Sequence, residues 1–113
     1  VDGEMAFVVM DREVTIKVDF LVLKKIEERV DLIKFLEQMK AGRPSYTSLG
    51  WIIYSAVGSK LKESEYAIGN WCMNYFEEAS GYATDIILHI LKPAPEIKKK
   101  DEAEATEVKE KIL

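Results

Sequence analysis

Asp19–Lys40 reads DFLVLKKIEERVDLIKFLEQMK, and its apolar residues fall into two sets. At about 100° per residue, Val22, Leu23, Ile26, Val30 and Ile33 share one face of a helix. Leu32, Phe35, Leu36 and Met39 centre more than roughly 100° around the same wheel. One straight helix would have to bury both faces. A break near Arg29–Asp31 removes the conflict. Asp19 is an N-cap whose carboxylate can accept from first-turn N–H groups, and Val18 with Leu23 forms a hydrophobic staple across it. Asp31 repeats the pattern, with Val30 and Phe35 as its staple. The spacing therefore predicts two short helices, over 20–29 and 32–41, ended by Gly42 and Pro44. Such a corner makes the stretch a bent wall of a compact domain and not a rod that pairs lengthwise.

Upstream, Met5–Met10 and Glu13–Val18 are rich in β-branched residues. Val14, Ile16 and Val18 alternate with Thr15 and Lys17, the period of a strand with one buried face. Asp11-Arg12 between the runs predicts a hairpin. A lone hairpin is marginal in water, so it must pack on helices or pair with another copy of the chain.

Downstream, Thr47 or Ser45 caps a third helix running to about Val57, with Leu49, Ile52, Ile53, Ala56 and Val57 as its stripe and Gly58 as its stop. Ser64 caps a fourth helix to about Glu78, with Ile68, Trp71, Cys72, Tyr75 and Phe76 on one face. Ser80-Gly81 reads as a turn. A fifth helix then runs to about Lys92, with Ala83, Ile86, Ile87, Ile90 and Leu91 inward, until Pro93 and Pro95 end it. The fold class is α+β, predominantly α-helical: an N-terminal β-hairpin, then about five short helices. Residues 1–92 form one globular domain on this reading. Residues 93–113 hold few large apolar side chains and nearly balanced charge, the composition of a flexible tail or a solvated single helix.

The chain of 113 residues is 32% charged and 48% hydrophobic, within the range of an ordinary foldable domain. Its net charge of −4 argues against a dedicated nucleic-acid binder. Cys72 is the only cysteine, so no intramolecular disulfide and no multi-cysteine zinc site can form. No run is long and apolar enough for a membrane span, and the start, VDGEMAF, lacks the basic and apolar regions of a signal peptide. The expected location is cytoplasmic.

No motif for catalysis, cofactor binding or metal ligation stands out. His89 forms an i, i+4 pair with Asp85, but no nucleophile or metal partner accompanies it, which favours a surface histidine. Cys72 lies in an apolar stripe, as a structural cysteine does. Glu27-Glu28 and Glu77-Glu78 diverge by about 100° as helix neighbours and cannot share a site. The six glycines make neither a phosphate loop nor a dinucleotide fingerprint. A helix-turn-helix reading of Ser45–Phe76 fails on its second helix, ESEYAIGNWCMNYFEE, which has no Arg or Lys for phosphates or guanines.

The aromatics say more. Trp51, Tyr54, Tyr66 and Met73 fall off the core stripes and are the candidate partner-binding residues. The competing account is a central third helix covered on several sides, or Tyr46 stapled onto Trp51.

The succession of a strand-like start, VDFLVLKKIEE, DLIKFLEQMKAG, SYTSLGWIIYSAV and SEYAIGNWCMNYFEE resembles the tail assembly chaperones of long-tailed bacteriophages and prophages, over about residues 5–92. The resemblance rests on hydrophobic spacing and element lengths. It implies a small non-catalytic protein of the host cytoplasm that binds the tape measure protein and helps tail tube protein assemble around it. It implies no cofactor, no nucleic acid and no membrane. Several copies coating a long client, with the hairpin edge available for self-association, would suit a homo-oligomer. A small DNA-binding regulator and a generic protein-interaction adaptor are the alternatives.

Overall fold

A computed structural model describes residues 4–91. Strands β1 (Glu4–Val9) and β2 (Arg12–Lys17) pair antiparallel, with Phe7 opposite Val14 and Met5 opposite Ile16. The turn is Met10-Asp11, one residue earlier than the sequence predicts. Both residues have positive φ, 56° and 64°, as a two-residue type I′ turn requires. Either turn brings the same side chains inward, so alternation alone could not choose the register. Phe7, Val9, Val14 and Ile16 form the buried face. The tyrosine at position 82 holds the hairpin to the helices. Its ring lies 4.6 Å from that of Phe7, and its hydroxyl accepts from the Val8 N–H at 3.1 Å.

Helices α1 (Phe20–Glu27) and α2 (Leu32–Lys40) meet at the expected corner. The Asp19 carboxylate accepts from the N–H groups of Leu21 and Val22, and that of Asp31 accepts from Lys34. Val30 and Phe35 are both buried beside the corner.

Helix α3 (Tyr46–Leu61), capped by Ser45, is the axis of the fold. Trp51, Ile52 and Ile53 are consecutive and all buried, so no single face of α3 is the core face. It packs against α1, β2 and two later helices, α4 (Glu65–Asn74) and α5 (Phe76–Leu91). Gly58 does not stop α3. It lies inside the helix, where a Cβ would fall 2.6 Å from the Tyr54 ring. The helix ends instead at Lys62, left-handed with φ 57° and donating its N–H to the Gly58 carbonyl at 2.8 Å. Glycine adopts this conformation without the Cβ clash. Lys62→Gly is expected to raise stability by about 1 kcal/mol, read as a higher thermal midpoint.

The α4–α5 boundary corrects the sequence reading. The break is at Tyr75 (φ −127°, ψ 54°), and Ser80-Gly81 lie within α5. Ala79, Ala83, Ile86 and Ile87 make one fully buried stripe, which needs helix running through 80–81. As a result Tyr75 is exposed, Trp71 and Phe76 are half-buried, and Leu91 is exposed where the stripe predicts burial. No helix among the described residues is long and apolar enough to cross a membrane. The predicted tail, 93–113, lies outside the described residues.

Candidate protein-binding surface

Helix α4 presents two faces. Ser64 starts it, its hydroxyl accepting from the Ala67 N–H at 3.1 Å. Ile68 and Cys72 point into the core. Tyr66, Gly69, Asn70 and Met73, spaced i, i+3, i+4, i+7, line the outer face beside the first turns of α3. Where the two helices cross, glycine meets glycine. A Cβ on Gly50 would sit 3.3 Å from the Gly69 Cα. This crossing forms the floor of a groove of about 390 Å³, with Tyr46 and Thr47 on one side and Tyr66 and Met73 on the other. Tyr66 is 79% exposed, Met73 61% and Tyr46 50%. The Tyr46 ring is steadied edge-on by Phe76 at 5.2 Å, and not by Trp51.

The two glycines differ. At Gly50 a Cβ would press on the Gly69 backbone more tightly than ordinary van der Waals contact. A Cβ on Gly69 would meet nothing within 4 Å, and its φ is not positive. Glycine in a helix interior is about 0.8–1.0 kcal/mol less favourable than alanine. Packing among the described residues gives no reason for that loss; the missing side chain leaves the groove floor low.

Of the four residues proposed from sequence, the structure brings Tyr66 and Met73 together on this groove and places Trp51 and Tyr54 elsewhere. Trp51 is a correction: it is 5% exposed, covered by α1, with its indole N–H donating to the Lys25 carbonyl at 2.9 Å. The Arg29 guanidinium lies 3.7 Å above its ring and bonds the Glu65 carboxylate at 2.8 Å. Tyr54 is half-buried, with the Lys25 ammonium 4.7 Å over its ring. Both fell off the predicted stripe because α3 is covered on several sides. Tyr46, which the sequence offered only as a staple for Trp51, joins Tyr66 and Met73 on the groove, as do Gly50 and Gly69, which the sequence did not single out. The Tyr66–Met73 stripe, opposite Ile68 and Cys72, was the available signal.

A second hollow, of about 560 Å³, lies on the other flank of α4 against the hairpin and α5. Trp71, Tyr75 and Tyr82 line it together with Asp11 and Glu78, and Asn70 borders both hollows.

The remaining candidate chemistry sits apart. Cys72 is buried, and burial pushes its thiol up to about 12. The native thiol therefore stays protonated at neutral pH. A thiol-reactive disulfide reagent at pH 8 is expected to modify Cys72 only on unfolding, and fast labelling of the native chain would contradict this burial. Above about pH 9 the unfolded thiol ionises while the native one does not, so Cys72 lowers stability as pH rises toward 12. Asp85 is exposed and His89 half-buried on α5. Among the described residues no three His, Cys, Asp or Glu side chains cluster as metal ligands.

No protein-family model, curated protein or solved structure matches the chain.

Proposed function

We propose that this chain is a non-catalytic binding protein that holds a helical apolar segment of another protein in the α3–α4 groove, as a tail assembly chaperone of a bacteriophage or prophage. One observation carries the reading. Tyr66 and Met73 stand largely exposed over a floor of two glycines, one of which is glycine at a cost to its own helix. Scattered exposed apolar residues need no explanation, but an aromatic, a thioether and a lowered floor in one groove suit helix-in-groove recognition. Methionine adapts to varied apolar surfaces, as a client with many similar helical segments demands.

The resemblance of residues 5–92 to tail assembly chaperones supplies the client class: the tape measure protein, with tail tube protein assembling around the complex. Duplex DNA is the less suitable ligand. From Glu63 to Leu91 the chain carries Glu63, Glu65, Glu77, Glu78 and Asp85 and no Lys or Arg, so α4 and α5 would repel phosphate. Co-expression with a tape measure protein encoded beside this gene is expected to raise that protein's soluble yield. Tyr66→Ala with Met73→Asp should remove the gain. Unchanged solubility with the unaltered chain would overturn the assignment.

A further inference from the structure

We propose that the second hollow is a binding site for the guanidinium of an arginine carried by a protein partner. The argument begins with a completed version of the same chemistry elsewhere in the molecule. Around Trp51, a guanidinium carbon lies over the indole, 3.7 Å from the ring centroid, and the group reaches a carboxylate at 2.8 Å. That arrangement uses what distinguishes arginine from lysine, a planar cation that stacks on an aromatic face while its edge donates to an acid.

The hollow on the flank of α4 also brings aromatic rings and carboxylates together, with no cation among the described residues that line it. Trp71 stacks with Tyr75 at 5.6 Å and 26°, and lies nearly parallel to Tyr82 at 6.5 Å and 8°. Tyr75 is 52% exposed, a consequence of the helix break that turns its ring away from the core. Glu78, in the first turn of α5, and Asp11, at the hairpin tip, bring two carboxylates to the same space. Glu65, in the neighbouring groove, is the other charged lining residue of the two hollows, and among the described residues no Lys or Arg lines either. The exposed Tyr75 ring and the two carboxylates, with no cation lining the hollow among the described residues, attract a positive group both through the ring and through charge. A volume of about 560 Å³ accommodates an arginine side chain with part of its backbone. Asn70 borders both hollows, so the site lies next to the α3–α4 groove. The site itself does not depend on that groove being used.

The chain has two tryptophans, one in the hollow and one buried, which gives an internal control. The full-length protein is titrated with Nα-acetylarginine amide while the two indole N–H signals are followed by NMR. The uncharged isostere, Nα-acetylcitrulline amide, and Nα-acetyllysine amide are run in parallel. The expected result is a saturable shift of the Trp71 signal with the arginine probe, a weaker one with lysine and none with citrulline, while Trp51 stays still. Glu78→Gln and Asp11→Asn, both at exposed positions, should each weaken the arginine response by about two- to fivefold. Equal shifts with arginine and citrulline, movement of both indoles together, or no shift at all would overturn the site. The groove reading is judged separately: filling that groove at Gly69 should leave the arginine response unchanged, whereas it weakens capture of an apolar helix about five- to hundredfold.

Discussion

Replacing Trp51 with alanine is expected to lower the unfolding free energy by about 3–5 kcal/mol, measured by urea denaturation. The indole is 5% exposed and joins α3 to α1 through the bond to the Lys25 carbonyl. It also carries Arg29, which in turn holds Glu65 at the start of α4. The truncation therefore opens a cavity, removes one of the two N–H groups that donate to the Lys25 carbonyl and frees a guanidinium from the indole face. Marginal stability makes such a loss decisive, since domains of this size total on the order of 5–15 kcal/mol. Trp51→Phe should fall between, because it retains ring packing but lacks the N–H. Were Trp51 a partner-facing residue, as its place off the apolar stripe suggests, the alanine variant would be as stable as the parent. A loss below about 1 kcal/mol would favour that account over the buried one.

The second large effect separates stability from binding at a single position. Gly69→Leu should make the protein more stable, by up to about 1 kcal/mol, because a helix-interior glycine is replaced and nothing lies within 4 Å of the new Cβ. The same side chain fills the groove between Tyr66 and Met73. A partner helix would then meet overpacking of about 1–3 kcal/mol, roughly a five- to hundredfold loss of affinity. Gly81→Ala is the matched control. Its Cβ also meets nothing within 4 Å and it sits inside α5, but it does not line the groove. It should gain similar stability and leave client capture intact. Loss of stability at Gly69→Leu would mean that the helix crossing itself needs that glycine. A stable variant with undiminished capture would move the binding surface away from this groove. Trading helix stability for an open surface is a common pattern where a site is functional.

The groove was half legible in the sequence. Tyr66 and Met73 could be singled out because they lie seven residues apart on a helix whose opposite side is apolar. Tyr46, Gly50 and Gly69 could not, because what they do arises where α3 crosses α4, and a crossing point is not written in either helix alone. Trp51 and Tyr54 share the off-stripe signature of Tyr66, yet α1 covers Trp51 and lays Lys25 over a half-buried Tyr54. Periodicity reports which residues share a face; it does not report how many faces a helix has neighbours on. The competing account, a central third helix covered on several sides, is what the burial of consecutive Trp51, Ile52 and Ile53 shows.

The sequence by itself determined the beginnings of α1 to α4 and the corner between α1 and α2. Asp19, Asp31, Ser45 and Ser64 each bond an N–H two or three residues ahead. Those bonds depend on residues adjacent in the chain, so they form wherever the chain goes. The tertiary structure alone decided where α4 gives way to α5, which aromatics are covered and where two backbones come close. Ala79 and Ala83 draw α5 against the core as one unbroken stripe, and the chain turns at Tyr75 to allow it. That choice balances burial across elements far apart in sequence, and no local hydrogen bond encodes it. The exposed Tyr75 ring that results completes the aromatic wall of the second hollow.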